Sequence, residues 1–422
     1  MTVDVTSTSP TDWRYISEGG SSIVFAYIGP SSPHFTGTVI RLRKAAHKDA
    51  SSSAHHQNEE HEEPDDPAII FQNRVIERLV SQEFLPRLLS VKVNKQWLQQ
   101  LRDLSEAHRP EERRAKDGIA LERTKAVLAD DLVSGEGFVV EIKPKWGFLP
   151  SPTHLSPRSK SVKTTTCRFD MHAHVKSTQG EDVALGYCPL DLYSGDEARI
   201  TKAIHALWDA WIGSSGSVNN MRVFCNGLML KPSSLPSSLA PLAAQIMSPR
   251  HVEPSLIDLR DNFTTTLRSV LVQTPLLQDL SYLQRSLDAL DIEGLSALWA
   301  EFHAITGVSP TPPLGSGLTE PTLSDWDKFL DVYLNKRLTM DHDHPDVANL
   351  QYYCLAYLLS ASFKDCSIII QVHPSGKSSI ALIDLDVKPI DRLHKWAILD
   401  ADIVKAYEKL SQPTICVDQL AE

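Results

Sequence analysis

The stretch that most limits how this chain can fold is Val140-Glu141-Ile142-Lys143-Pro144-Lys145-Trp146-Gly147-Phe148. Apolar and charged side chains alternate through it, the period of a half-buried strand. Glu141, Lys143 and Lys145 are thereby expected on one face, with Ile142, Pro144 and Trp146 on the other. Two lysines and a glutamate on one side make a poor core but a suitable wall for phosphate groups. The proline points to an edge strand or a broken ladder, because it has no N–H to give. Three charges alone would be read as a solvated strand face. A second stretch changes that weighing: Leu382 to Pro389 alternates in the same way and sets Asp384, Asp386 and Lys388 on one face.

Composition narrows the partners. A chain of 422 residues can hold two or three lobes, each with its own core. Charged and hydrophobic fractions of 23% and 42% are those of a soluble globular protein. No window approaches the roughly 18 to 20 apolar residues of a membrane span. The start, Met1-Thr2-Val3-Asp4-Val5, lacks the basic and apolar regions of a signal peptide. An intracellular protein is expected, in nucleus or cytoplasm, as a monomer without a membrane partner. The net charge of -11 argues against a DNA binder, so any polyanion must be drawn by a locally focused basic cluster. Six scattered cysteines, with no C-x-x-C pair, read as reduced, packed thiols without zinc-knuckle spacing.

Taken in order, Glu18-Gly19-Gly20-Ser21 is a small-residue turn entering a strand, where backbone N–H groups can approach phosphate oxygens. Alone it is an ordinary hairpin. Val39 to Lys44 is a basic strand, and the pair is similar in layout to a protein-kinase N-lobe, with Arg41 in place of the usual lysine. Residues 45–66 read as a disordered insertion, whose His55, His56 and His61 belong to a solvated loop. Arg109 to Arg114 reads as a solvated turn. The run Arg168 to Lys176 is taken as a strand, on which His172 and His174 alternate. Ser194 and Glu197 form a capping box before a helix ending near Gly213. Asn219 and Asn220 open a strand, and Ser233 to Pro241 is a linker. Two or three helices are expected over 255–306, with Leu276 to Leu287 as core. Further helices are expected at 326–334, 345–362 and 400–410, the second stopping just before Asp365. A hairpin joins the strand at Ile368 to the one at Asp384. Residues 1–150 are expected as one domain and 151–422 as a second.

These segments resemble the inositol-pentakisphosphate 2-kinase family, which makes inositol hexakisphosphate from ATP. The matching residues are Glu18-Gly19-Gly20, Val39-Ile40-Arg41, Arg109-Pro110-x-x-Arg113, and Glu141-Ile142-Lys143-Pro144-Lys145-x-Gly147-Phe148. Downstream they are Arg168-Phe169-x-Met171-His172-x-x-x-Lys176, Asn219-Asn220, Lys364-Asp365-Cys366-Ser367, and Asp384-Leu385-Asp386-x-Lys388-Pro389. They keep the family's order across nearly the whole chain, and their combination is specific where each alone is weak.

The resemblance implies an α+β fold of protein-kinase-like two-lobe architecture, with an inositol-phosphate-binding lobe added in the C-terminal part. It implies that Gly19, Gly20 and Ser21, with Arg41, Glu141 and Asp384, hold the nucleotide. Lys143, Lys145, Lys176, Asn219, Asn220, Lys388, Arg392 and Arg113 would grip substrate phosphates. Asp365 would be the catalytic aspartate, and Asp384 with Asp386 would hold magnesium. Plant members carry a Cys/His zinc site in the added lobe, and no such spacing occurs here, so zinc is not expected. Trp396 stands where some members have an aromatic hydroxyl.

The residue types suit this chemistry independently. Five phosphates, each about -1.5 to -2 at neutral pH, need several converging cations. Phosphoryl transfer asks for positioning, charge neutralisation and an acceptor for the hydroxyl proton. The alternatives are a kinase for another inositol phosphate, which would keep the aspartates and alter the lysines, and a catalytically impaired inositol-polyphosphate-binding scaffold. The scaffold would have lost Asp365 or Asp384, and both are present.

Overall fold

Two sheets organise the chain, as its alternating stretches require. The computed structural model describes residues 3–47, 63–247, 254–335 and 340–419. Its contacts divide the chain into two units, Met1–Asn73 with Leu85–Ser134, and Arg74–Phe84 with Gly135–Glu422.

The first unit is built on strands β1 (Val3–Asp4), β2 (Trp13–Glu18), β3 (Ser22–Tyr27), β4 (Thr38–Ala46), β5 (Leu88–Lys92), β6 (Asp117–Ile119) and β7 (Lys125–Asp130). Their order is β1-β5-β7-β4-β3-β2, with β6 paired to β4, and only β1 and β5 run parallel. Alternation sets the faces: Ile40 and Leu42 of β4 are buried, while the intervening Arg41 and Arg43 are partly exposed. Helix α1 (Pro67–Arg74) leads out of this unit. Helix α2 (Lys95–Ser105), capped by Asn94, buries Trp97, Leu98 and Leu101 in a core with Trp13, Phe25 and Leu42. A single turn, α3 (Glu111–Arg114), follows.

Two expectations for this unit need revision. Arg109 is no solvated turn residue: its side chain is fully buried, with Nη2 2.9 Å from Glu18 and 2.7 Å from Asp117. Glu18 also takes Lys44 at 2.5 Å, so one buried carboxylate ties three segments. The expected insertion at 45–66 falls mainly outside the described residues, but its ends are ordered. Ala45 and Ala46 complete β4, and Asp66 accepts from Nε and Nη2 of Arg43, at 2.6 and 2.5 Å.

The second unit holds β8 (Phe138–Ile142), β9 (Met221–Cys225), β10 (Leu228–Met229), β11 (Ser367–Val372) and β12 (Ser378–Ile383), all antiparallel in the order β10-β9-β8-β11-β12. Around it lie α4 (Pro157–Lys163), α5 (Arg168–Thr178), α6 (Pro189–Tyr193), α7 (Glu197–Gly213), α8 (Ala240–Ile246), α9 (Leu256–Gln273), α10 (Leu276–Leu287), α11 (Asp291–Ile305), α12 (Leu323–Tyr333), α13 (Leu350–Asp365) and α14 (Arg392–Tyr407). Apolar residues on nearly all sides of α13 make it the central helix, packed on α10, α11 and α12. The leucines from Leu276 to Leu287 are core, as their spacing predicts. The expected α+β class holds, and no described helix is long and apolar enough to cross a membrane.

Several local expectations differ. The β8 strand is central and stops at Ile142, so the proline sits beyond the ladder rather than on an edge. Likewise β12 stops at Ile383, and Asp384 to Pro389 leave the sheet. Arg168 to Lys176 is helical, because Cys167 caps the Asp170 N–H and starts α5. Asp196, not Ser194, caps α7. The linker after Ser233 contains a 3-10 turn leading into α8. Asp365 is the last residue of α13 rather than one beyond it.

Candidate active site

The site begins where β8 runs out. Lys143 N–H still reaches the Asn220 carbonyl at 2.9 Å, but Pro144 has no N–H, and Lys145 turns into the left-handed region at φ 66°. The turn is held from beneath. Tyr187 Oη donates to the Pro144 carbonyl at 2.9 Å and Tyr193 Oη to that of Lys145 at 3.2 Å. Gln284, fully buried, accepts from Gly147 N–H at 2.7 Å and donates to the carbonyls of Lys145 and Phe363 at 3.1 and 3.0 Å. One amide therefore ties the lysine turn to the end of α13. Gly147 is required here, since a Cβ would lie 2.7 Å from the Tyr193 ring.

That arrangement opens into a cavity of about 690 Å³ lined by Lys145, Lys176, Asn219, Asn220, Asp365, Lys388 and Arg392 among the expected residues. Arg168, His172, Lys364, Trp396, Glu181, Asp182 and Asp400 line it too. Six Lys and Arg side chains face four carboxylates, so the local field is positive on an acidic chain. Asp365 sits between Lys145 and Lys388, each 3.1 Å away. Burial alone would raise its carboxyl, but the two ammonium groups outweigh that and hold it below the ordinary carboxylate range. Lys176 reaches Glu181 at 2.7 Å. The buried Asn220 Nδ2 has no hydrogen-bond partner among the described residues, which leaves a donor at the cavity wall. Burial, with Arg168 and Lys176 nearby, lowers His172 to about 4, so its ring is neutral at pH 7. Trp396 stacks at a tilt on Tyr357, centroids 5.9 Å apart.

A second cluster lies at the sheet end. Lys143 Nζ is 3.3 Å from Asp384 and 4.0 Å from Glu141. Ser367 Oγ lies 3.0 Å from Glu141 and 3.4 Å from Asp384. Asp384 has φ 63°, a conformation that costs a non-glycine residue about 1 kcal/mol or more and tends to persist at functional sites. Asp386 is exposed, and its carbonyl accepts from Ser362 Oγ at 2.7 Å. Asp384 and Asp386 are hard oxygen donors of the kind magnesium takes.

In the first unit, Gly19, Gly20 and Ser21 make the β2–β3 turn, and Arg113 Nη1 donates to the Gly19 carbonyl at 2.9 Å. A Cβ at Gly19 or Gly20 would meet nothing within 4 Å, and neither has a positive φ. Neither packing nor backbone geometry calls for glycine there. Arg41 lies on β4, beside Val24 of β3.

The lining residues to which the sequence reading gave no role are Arg168, His172 and Lys364. Arg168, His172 and Lys176 are spaced by four, one face of a helix. Lys364 is hidden by its context, a buried ammonium 2.5 Å from Asp288 and 3.9 Å from the centre of the Trp146 ring.

Comparison with known proteins gives a consistent result. Residues 15–402 match the family described as inositol-pentakisphosphate 2-kinase. A relative of that name from Cryptococcus neoformans is 33% identical over 419 residues, covering 94% of both chains. One from Arabidopsis thaliana is 28% identical over 463 residues, covering 97% of this chain and 96% of its own. A third, from Danio rerio, is 30% identical over 230 residues, 52% of this chain.

Proposed function

Because the chain belongs to the inositol-pentakisphosphate 2-kinase family, we propose that its basic cavity holds inositol 1,3,4,5,6-pentakisphosphate for phosphorylation by ATP on the 2-hydroxyl, giving inositol hexakisphosphate. The observation that carries this reading is Asp365 held between Lys145 and Lys388 in a cavity of net positive lining.

Phosphates entering the cavity compete with Asp365 for its two lysines. As the ammonium groups turn to phosphate, the carboxylate is released to face the hydroxyl and regains basicity, since the charges that depress it are shared. Asp365 then accepts the hydroxyl proton. Lys176, Lys388 and Arg392 anchor phosphates, with Asn219 and Asn220 as amide partners. The neutral His172 adds a hydrogen bond without charge. Lys143 and Lys145 face the transferred group.

Gly19, Gly20, Ser21, Arg41 and Glu141 form the nucleotide part of this reading, which includes a kinase-like organisation of the chain into lobes. Open space over the two glycines supports close approach of a phosphate to the backbone. Arg113, beside that turn, is read as a further phosphate contact. Asp384 and Asp386 would hold magnesium, which supplies charge neutralisation on the nucleotide phosphates.

The test is incubation with ATP, Mg²⁺ and individual inositol pentakisphosphate isomers. Phosphorylation of the isomer with the free 2-hydroxyl, lost in Asp365→Asn and Asp384→Asn, is expected. Equal turnover of all isomers, or a fully active Asp365→Asn, would remove the assignment.

A further inference from the structure

A carboxylate on the wall of a cavity suited to phosphates calls for a reason, and Asp400 is such a group. It lies on α14 about two turns beyond Arg392, with Trp396 between them, so the three share the helix face that lines the cavity. Its two oxygens serve different partners. Oδ2 accepts from Lys163 Nζ at 2.8 Å, and Oδ1 from Arg168 Nε at 3.1 Å. Among the described residues, the two Nη groups of Arg168 have no hydrogen-bond partner. The guanidinium carbon lies 5.7 Å from the centre of the Trp146 ring. We propose that Asp400 is a positioning residue: anchored by the buried Lys163, it aims Arg168 so that the open guanidinium edge reads one phosphate of the substrate. This rests on the inositol pentakisphosphate reading of the cavity.

Burial separates the arrangement from an ordinary surface ion pair. The side chains of Lys163 and Asp291 are each 2% exposed and 2.5 Å apart, so one carboxylate already matches the ammonium. Asp400 is a second carboxylate, and its charge is balanced only when Arg168 is counted. Four alternating charges, Asp291, Lys163, Asp400 and Arg168, thus run from the interior to the cavity wall and sum to zero. They come from the start of α11, the end of α4, α14 and the start of α5.

The consequence is directional. With Nε held, the planar guanidinium loses its freedom to turn, and the two Nη groups are left as a fork that matches two oxygens of a phosphate. The same bond joins α5, which carries His172 and Lys176, to α14, which carries Arg392. Without Arg168, Asp400 would only repel a polyanion.

That last point supplies the test. Calorimetry on the full chain measures affinity for inositol pentakisphosphate and for the five tetrakisphosphates that each lack one of its phosphates, with urea unfolding as the check on folding. Arg168→Met should weaken pentakisphosphate binding about ten- to a hundredfold, the size of a charge-assisted hydrogen bond. For one tetrakisphosphate, the one without the phosphate that Arg168 reads, Arg168→Met and wild type should bind alike. Asp400→Asn should weaken pentakisphosphate binding severalfold when Arg168 is present. In an Arg168→Met background it should leave binding unchanged or stronger, because only a negative charge is then lost from the cavity. If Asp400→Asn does not fold, the combined Lys163→Met, Asp291→Asn, Asp400→Asn variant, which strands no buried ion, takes its place. Equal weakening by Asp400→Asn in both backgrounds, as a merely structural role requires, would overturn the proposal. So would an Arg168→Met loss that is the same for all five tetrakisphosphates. Wild-type protein that binds no inositol pentakisphosphate would instead overturn the reading of the cavity itself.

Discussion

At the scale of single residues, the site works through what surrounds each charge. Asp365 would be an unremarkable helix-terminal carboxylate without Lys145 and Lys388, and the same lysines would be surface cations without it. Asp365→Asn should lower turnover roughly 10²- to 10⁴-fold, while calorimetry finds substrate affinity unchanged or stronger, because a carboxylate facing phosphates has been removed. The pH dependence follows from the lowered carboxyl. In the free enzyme Asp365 stays ionised to below the usual value near 4, so it sets no acid limb of kcat/KM between pH 5 and 8. Its ion pairs contribute stability above the unfolded carboxyl's pKa, lost as pH falls through the lower folded value. Lys388→Met removes one depressing charge and should move the acid limb upward. An unmoved limb in a pH series of that variant would show that another group titrates.

Elements matter here through the buried groups that join them. Gln284 of α10 bonds the Lys145 turn and the last turn of α13, so Gln284→Leu should reduce kcat more than it raises KM, with about 2–4 kcal/mol lost in urea unfolding from the stranded carbonyls. Lys364 of α13 and Asp288, the residue that ends α10, pair with almost no exposure. Burial lowers the lysine and lifts the aspartate to about 6, the sign of a pair that desolvation opposes. Lys364→Met alone should cost about 3–5 kcal/mol, since Asp288 is left uncompensated, and Lys364→Met with Asp288→Leu should recover much of it. A double variant no more stable than the single would show that the two are not energetically paired. In the first unit, deletion of 48–62 should leave Tm and activity unchanged, because that sequence offers few apolar groups to a core. Asp66→Ala should lower Tm by breaking its paired bonds to Arg43.

For the whole molecule, charge is the governing quantity. A net charge of -11 repels polyanions generally, while the cavity collects cations from α5, α13, α14 and the turn after β8. Inositol pentakisphosphate should therefore raise Tm by linkage, by about 2.7 kcal/mol of stability at a hundredfold excess over Kd. Salt screens exposed charges within about 8–10 Å at physiological strength, so scanning calorimetry should show the shift shrinking as salt rises. Lys176→Ala should shrink it further, and a salt-independent shift would point to a site closed to solvent.

Local periodicity and short motifs determined much by themselves. Strands β3, β4, β8, β9 and the β11–β12 hairpin, the glycine turn at Gly19 and Gly20, the leucine core of α10 and the family-bearing motifs are legible because each depends on neighbours a few residues away; β2, β6 and β7, which no motif marks, are not. The same locality explains the failure at Arg168 to Lys176. Phe169, Met171, Ala173 and Val175 alternate as in a strand, yet the segment is a helix covered by Ile403 and Tyr407 on one side and by Leu190 and Cys416 on another. Two-sided cover places apolar residues where a one-sided helix would have polar ones, and the period is lost. Only tertiary structure could bury Arg109 against Glu18, set Asp365 between lysines 220 and 23 positions away, or bring Cys416 to Cys167. Those outcomes rest on packing and charge between segments far apart in sequence, and no window of sequence contains both partners.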